Sequence, residues 1–522
     1  MIIQPFDYQK DAGNAVVKSL NQHTGVLCVM ATGLGKTATA WMIAEYFVKR
    51  GQNVLFLAHR DKLIEQAIGS LKKFTGLDCG VEKAERTAYK TPHPLVVGSV
   101  QSMTADRLKN YDKRRFQLII TDEAHLSAAD SYMRIYDYFK DASRIGFTAT
   151  AYRNDSRDLL SVYQHIAFEF TLKKAIQEGL LCRIVSETIP IDCDMSELSV
   201  SNGDFTAESC GSTIGPVLES IAQKMAPKLA SRNKSIAFLP LIKTSISASE
   251  YFRHNAVDSV HVAGDSDDRE HKIRWFETNN KNLLCNPMFL SVGYDHPPID
   301  TVLWLRPTKS TLSYTQGVGR GTRLCPGKEF LYLPDLIMNG QTHDLCRPSC
   351  LIAETEEMEE AMNEISSGGK PPMSLGDVEA EAHDLLIDRR EAKLANQIKA
   401  MKTSKGKFDP VLGTMAVVND AVSDWKPRVS EEAQSATHDQ IQKLEGMGFD
   451  PKEWKRGYAD TILKMVDERS SKGLATPKQL RLLCRQHVKG AANLTVDQAK
   501  AKIDGLQRKW AYIAAHKKMK GK

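Results

Sequence analysis

Between residues 26 and 150, short apolar runs alternate with amphipathic stretches, and that alternation leaves few architectures open. Gly25–Met30, Val54–Ala58, Leu95–Val100, Phe116–Thr121 and Arg144–Phe147 read as buried strands. Segments of helical period, such as Thr37–Lys49 and Asp61–Phe74, fall between them. Strands alternating with helices require crossover connections, which build a parallel sheet wound on both faces. The pattern resumes at Ser235–Leu239, Ser259–Val262, Asn282–Asn286, Thr301–Leu305 and Glu329–Leu333. A chain of 522 residues exceeds what one core can organise. The fold class expected is α/β, with two tandem, doubly wound parallel-sheet domains and a mainly helical C-terminal region. The expected divisions are a first domain at 1–190, a connection at 191–230, a second domain at 231–350, a helical extension and linker at 351–440, and a basic helical module at 441–522.

After about residue 335 the strand pattern stops. Glu354, Glu356, Glu357, Glu359, Glu360 and Glu364 crowd an expected helix, and Ser366-Ser-Gly-Gly-Lys-Pro-Pro372 reads as a linker. A helix is expected from Gly376 to about Met401, then an irregular stretch to about Asp439. Thr476-Pro477 opens a periodic run in the manner of a capped helix start. No apolar run approaches the roughly 18 residues that span a bilayer. The start, Met-Ile-Ile-Gln-Pro, lacks the regions of a secretory signal. The 10 cysteines follow no repeating framework, which suggests reduced thiols and a cytoplasmic setting.

The densest local signal is Met30-Ala-Thr-Gly-Leu-Gly-Lys-Thr37, directly after a strand and opening a helix. Glycines let the backbone curl until its N–H groups face a phosphate, and the helix N-terminus adds positive potential. Thr32, Gly33 and Gly35 belong to that cradle. Lys36 would reach the β- and γ-phosphates, and the Thr37 hydroxyl would ligate Mg²⁺. Met30 stands where the strict phosphate-loop pattern has Gly, yet an ordinary Gly-rich turn leaves the Lys-Thr pair unexplained. Further on, Leu118-Ile-Ile-Thr-Asp-Glu-Ala-His125 brings acids out at the carboxyl end of a strand, where open α/β sheets bind ligands. Asp122 would hold Mg²⁺, and Glu123 would orient and polarise an attacking water. Adjacent acids could instead cap the next helix. His125 is open between a general base and a structural link to Thr148-Ala-Thr150.

In order and spelling these elements resemble the motifs of superfamily 2 helicases, over roughly residues 5 to 335. The resemblance implies two RecA-like domains of the P-loop NTPase class sharing one ATP site. Phe6-Asp-Tyr-Gln9 is similar to the upstream element whose aromatic residue and Gln recognise adenine. Phe56-Leu-Ala-His-Arg60 resembles motif Ia and Gly98-Ser-Val-Gln-Ser102 motif Ib, implying nucleic-acid contacts at His59, Arg60, Ser99 and Gln101. Asp122-Glu-Ala-His125 is motif II in its DEAH spelling. Gly146-Phe-Thr-Ala-Thr150 resembles motif III, implying coupling roles for His125, Thr148 and Thr150. Ser235-Ile-Ala-Phe-Leu239 resembles motif IV, and His261-Val-Ala-Gly264 the strand and turn that follow. Ser291-Val-Gly-Tyr-Asp295 resembles motif V, with Val292 in place of the usual Glu and with Gly293 and Asp295 expected at the nucleotide. Gln316-Gly-Val-Gly-Arg-Gly-Thr-Arg323 resembles motif VI, implying catalytic roles for Gln316, Arg320 and Arg323. The two arginines, one helical turn apart, would neutralise charge on the departing phosphoryl group, a contribution of roughly 10³-fold or more in related enzymes.

Within the superfamily the sequence is most similar to DEAH helicases of phage and bacterial recombination, repair and restriction systems. Arg306-Pro-Thr-Lys-Ser310 ahead of motif VI and Val54–Arg60 carry that likeness. It implies an ATP-dependent DNA helicase or translocase using ATP and Mg²⁺, with single-stranded or branched DNA as partner and a possible replication or recombination partner. RNA stays open, because phosphate contacts dominate affinity and carry little identity. The rival readings are a duplex translocase that separates no strands and a low-turnover ATP-gated clamp. The intact Glu123 and both arginines argue against the clamp.

Two weaker signals remain. From Asp450 to Lys522 there are 18 Lys/Arg against 7 Asp/Glu, a net of +11, while the rest of the chain carries −5. That basic tail reads either as an accessory nucleic-acid contact or as a solvated helical surface. His343, Cys346 and Cys350, with Cys325 upstream, have no usual zinc-finger spacing, and buried thiols are the simpler reading. No metal-dependent nuclease motif is present, which argues against a self-contained restriction enzyme.

Overall fold

A computed structural model describes residues 4–59, 61–149, 159, 161–201, 203–264, 268–287, 294, 296–338, 345–367, 370–401, 425–486, 488 and 490–520. The first sheet contains β1 (Gly25–Met30), β2 (Val54–Ala58), β3 (Gly80–Glu82), β4 (Leu95–Ser99), β5 (Leu118–Thr121), β6 (Ser143–Thr148) and β7 (His165–Phe170). Their order is β3-β4-β2-β5-β6-β1-β7, and every pairing is parallel. β1, β2, β4 and β5 are buried at every position, as strands covered on both faces must be. On one face Leu27, Val29, Leu55, Leu57 and Ile119 pack with Tyr132, Ile135 and Phe139. On helix Lys36–Val48, Trp41 lies 4.2 Å from the Phe56 ring and donates its indole N–H to Ser70 Oγ.

The chain then runs through β8 (Arg183–Ile191), the hairpin β9 (Val200–Ser201) and β10 (Asp204–Phe205), β11 (Lys234–Phe238), β12 (Asp258–His261), β13 (Asn282–Asn286), β14 (Thr301–Trp304), β15 (Phe330–Met338) and β16 (Met373–Ser374). The second sheet has the order β12-β13-β11-β14-β15-β8-β16 and is parallel except for its last pair. Two expectations need correcting here. β8 pairs with β15 residue for residue, so 183–191 hydrogen-bonds in the second sheet and the division between sheets falls ahead of residue 190. The segment 191–230 is more than a connection: helices Ala207–Ile214 and Leu218–Leu229 add Ile214, Leu218, Ile221, Met225 and Leu229 to the second core. These apolar positions recur at helical spacing and form one face turned to the core.

A second compact unit comprises Ala353–Ile365 and Val378–Lys522. In it helix Glu356–Ser366 is tied to helix Leu375–Met401 by Arg389–Glu364 at 2.7 Å and Arg390–Glu357 at 2.6 Å. Helices His438–Met447, Arg456–Ser471, Pro477–Arg485 and Val496–Lys520 enclose a core containing Leu444, Phe449, Ile462, Leu480 and Leu483. Thr476 caps its helix as expected, exchanging bonds with Gln479 through Oγ1 and its own N–H. Among the described residues no helix is long and apolar enough to cross a membrane. The described cysteines form no disulfide. Cys325, Cys346 and Cys350 join no cluster of metal-ligating groups among the described residues, and His343 lies outside them.

One glycine in the first sheet permits an unusually close approach. A Cβ on Gly146 of β6 would lie 2.4 Å from Tyr163 Cζ and 2.7 Å from Ala124 Cβ, both in the buried core. Gly146→Ala should therefore cost about 1–3 kcal/mol in urea unfolding, the usual range for overpacking. An unchanged midpoint would show that the core yields there.

Candidate active site

β1 and β5 are separated only by β6, so their carboxyl ends bring two loops side by side. After β1 the chain curls through Gly33 and Gly35, with φ of +95° and +73°, a region that side-chain-bearing residues avoid. A Cβ at Gly35 would also come within 2.5 Å of Gln9 Nε2. Helix Lys36–Val48 starts at once, leaving its first N–H groups without intrahelical partners and facing the loop. Lys36 Nζ lies 3.4 Å from Met30 O, and Thr37 is half-buried on the first turn. Gln9 Nε2 and Tyr8 OH each donate to Leu34 O at 3.1 Å, while Gln9 Oε1 accepts from the N–H of Phe6. One end of the Gln9 amide is thus spent on the loop and the other on capping its own helix. Phe6 stays 63% exposed, its ring parallel to Tyr8 at 5.6 Å, an open aromatic face at the loop's edge.

After β5, the N–H of Asp122 still bonds to Leu57 O, but Glu123 turns the chain sharply at φ +53°. A non-glycine residue held there costs on the order of 1–3 kcal/mol, a cost most often met at functional sites. The turn sends Glu123 Oε1 to accept from Gln316 Nε2 at 3.1 Å, a bond from the second sheet's domain to the first. Glu123 Oε2 sits 3.3 Å from His125 Nδ1 and accepts no hydrogen bond of good geometry among the described residues. Burial, and then the charge of Glu123, push the Asp122 carboxyl up to about 7, with Lys36 opposing. Burial also works to raise Glu123, but His125, Lys36 and Arg320 outweigh it and hold this carboxyl below its ordinary value. Glu123 is therefore the more acidic member of the pair.

The facing side comes from helix Thr311–Val318 and the turn after it. Glycines let that turn approach its neighbours. A Cβ on Gly317 would strike the Trp304 ring at 2.3 Å, and one on Gly319 would come within 2.7 Å of the Thr32 side chain. Arg320 Nη1 donates to Tyr294 O at 3.0 Å. Burial lowers the pKa of its guanidinium to about 10, with Glu123 acting to raise it. Arg323 runs along the phosphate loop, its Cγ 3.7 Å from where a Gly33 Cβ would stand, and burial lowers its pKa too.

The structure thus brings Thr32, Gly33, Gly35, Lys36, Asp122, Glu123, His125, Gln316, Arg320 and Arg323 together where loops of the two sheets meet. Thr148 is buried at the end of β6, between the two loops. At the end of β2 the His59 ring lies parallel to Tyr132 at 6.3 Å, and Gln101 is exposed after β4. Ser99 departs from expectation. It ends a central strand, is 1% exposed, and its hydroxyl is enclosed, so it offers no surface for a phosphate. Arg60, Thr150, Gly293 and Asp295 lie outside the described residues. Sequence reasoning missed Tyr8, although it stands inside the Phe6–Gln9 element. It also missed the hydroxyl chain Thr121–Tyr136–Ser127–Tyr163, with contacts of 2.7, 3.2 and 2.8 Å, which props the acidic turn from beneath. No sequence spacing marks that chain.

Comparison with known proteins adds to this geometry. Residues 2–153 match the family described as type III restriction enzyme, res subunit, and residues 217–325 match the helicase conserved C-terminal domain. The Saccharomyces cerevisiae protein IRC3, described as an ATP-dependent helicase, is 31% identical over 374 residues, covering 68% of this chain and 54% of that protein. This chain spans 54% to 66% of the length of the first three curated relatives it matches. Among solved structures, the type ISP restriction-modification enzyme LlaBIII bound to DNA aligns with 97% of this chain and 43% of its own, at a TM-score of 0.55 and 17% identity. A fragment of an HsdR-type subunit of a type I restriction enzyme from Vibrio vulnificus YJ016 aligns over 64% of each chain, with a TM-score of 0.51 and 22% identity. At these identities the two structures speak to the fold, which is a pair of RecA-like parallel-sheet domains with a helical region after them.

Proposed function

Because this chain carries the two domains of a superfamily 2 helicase, we propose that it is an ATP-dependent motor of the DEAH type that moves along or unwinds DNA. The observation that carries the reading is the hydrogen bond from Gln316 to Glu123, with Arg320 close by. Groups from both domains meet at one carboxylate, so hydrolysis is tied to closure of the cleft.

In this reading Lys36 and the helix N-terminus behind it hold the β- and γ-phosphates. The donor set suits Mg²⁺: hard oxygens from Thr37 and Asp122, and a buried pair of acids whose mutual repulsion a divalent cation would relieve. The metal would supply charge neutralisation at the phosphoryl oxygens. Glu123, kept ionised by its neighbours, orients a water and takes its proton, while Gln316 fixes which of its oxygens is free to do so. Arg320 and Arg323 face the charge that develops as the γ-phosphoryl group leaves. When the domains part, Gln316 and both arginines leave together, and hydrolysis stops until the next closure.

DNA is the preferred track on the likeness to restriction-type motors over residues 2–153; half-buried His59 and exposed Gln101 would meet its backbone. Residues 441–522, with their excess of basic side chains, would add a second grip. The test is steady-state phosphate release with no nucleic acid, single-stranded DNA, duplex DNA, forked DNA and RNA. Stimulation by DNA is expected, and the preferred form distinguishes strand separation from duplex translocation. Stimulation by RNA alone would overturn the DNA assignment. A flat rate in all five would sink the motor.

A further inference from the structure

Beyond Arg323 the chain places a lysine that neither the motifs nor the reaction above employs. Lys328 is half-buried, and its ammonium donates to three backbone carbonyls: Gly321 at 2.6 Å, Arg323 at 2.8 Å and Pro297 at 3.2 Å. An ammonium has three donors and no acceptor, so this backbone cage fills its capacity. Two of the carbonyls belong to the turn bearing Arg320 and Arg323. The third lies three residues past Tyr294, whose carbonyl receives the Arg320 guanidinium. One cation therefore pins the arginine turn to the segment that holds Arg320. Cys182, on the segment entering β8, adds to the clamp: its N–H donates to Thr322 O at 2.8 Å and its thiol faces Gly321 O at 3.4 Å.

A lysine ordinarily keeps its charge in water, and burying it is costly. Burial here acts to lower the Lys328 pKa, opposed by Cys182 and Asp300. A neutral donor would satisfy one of these carbonyls at lower cost, but only a three-donor head can tie three carbonyls to one point. We propose that Lys328 is a positioning residue for ATP hydrolysis, holding the turn that aims Arg320 and Arg323. The inference rests on the motor reading, since it takes those arginines to act on phosphate.

Lys328→Met keeps the length of the side chain and removes the donors. It should lower kcat about tenfold to a hundredfold, as small misplacements of catalytic groups do, with the KM for ATP unchanged because binding groups are untouched. In an Arg320→Ala/Arg323→Ala background, single-turnover hydrolysis should show no further loss, since nothing is left to aim. Amide exchange over residues 319–325, measured without nucleotide, should be faster in Lys328→Met than in the unaltered protein. If Lys328→Met melts below the assay temperature, Lys328→Gln carries the same comparisons. Full kcat in a folded variant, or an equal loss in the arginine-free background, overturns the proposal. If the unaltered protein hydrolyses no ATP, the motor reading fails by itself, and the exchange measurement decides whether Lys328 holds the turn.

Discussion

Arg323→Ala should leave the protein folded and ATP bound, yet slow hydrolysis by roughly 10³-fold, the lower end of what arginine fingers contribute. The size follows from where the side chain runs. Its stem passes along the phosphate loop beside Gly33, and burial opposes its charge, so the guanidinium acts in a site where water screens little. Stability should hold, because truncation also removes the cost of burying that charge. The measurement is single-turnover phosphate release at saturating ATP, beside a thermal melt and a nucleotide-affinity titration. Turnover at the unaltered rate in a well-folded variant would remove Arg323 from the reaction.

Glu123→Gln should bind ATP with little change and then stall, losing on the order of 10²- to 10⁴-fold in hydrolysis. The amide keeps the size of the carboxyl, and its oxygen can still accept from Gln316, so the contact between the domains survives. What disappears is the negative charge that His125, Lys36 and Arg320 maintain. Asp122 offers no substitute, since in this reading its carboxyl oxygens are committed to the metal. The variant should accumulate as an ATP-bound, nucleic-acid-bound complex, visible by retention of labelled ATP on a filter with DNA present. Rapid phosphate release would move the role of base elsewhere, with His125 the first alternative.

Much of this site was legible in the sequence because its chemistry requires particular residues at particular spacings. A glycine is needed where φ is positive, as at Gly33 and Gly35, and a Lys-Thr pair must open the helix behind it. Acids must leave a buried strand at its carboxyl end, as Asp122 and Glu123 do. Elements positioned by tertiary pairing were harder to read. β7 and β8 mix polar with apolar residues, and β3 is only 3 residues long, too short for any period. The strand expected at Glu329–Leu333 stopped short: β15 continues through Pro334 to Met338 alongside β8. The left-handed turn at Glu123 was illegible, because nothing in Asp-Glu-Ala-His announces a strained backbone. Ser99 was misjudged because a motif's spelling identifies the loop and not the direction in which each side chain points.

The pairing of β8 with β15 bears on how the chain can be dissected. A recombinant fragment begun at residue 217, where the C-terminal helicase family match starts, would carry β15 without the strand that covers it along all nine residues from Phe330 to Met338. Its bared N–H and C=O groups would form a long template for another chain, the usual route to edge-to-edge aggregation. A soluble second half must therefore start before Arg183. The second half of this protein begins well ahead of the stretch that its family match covers.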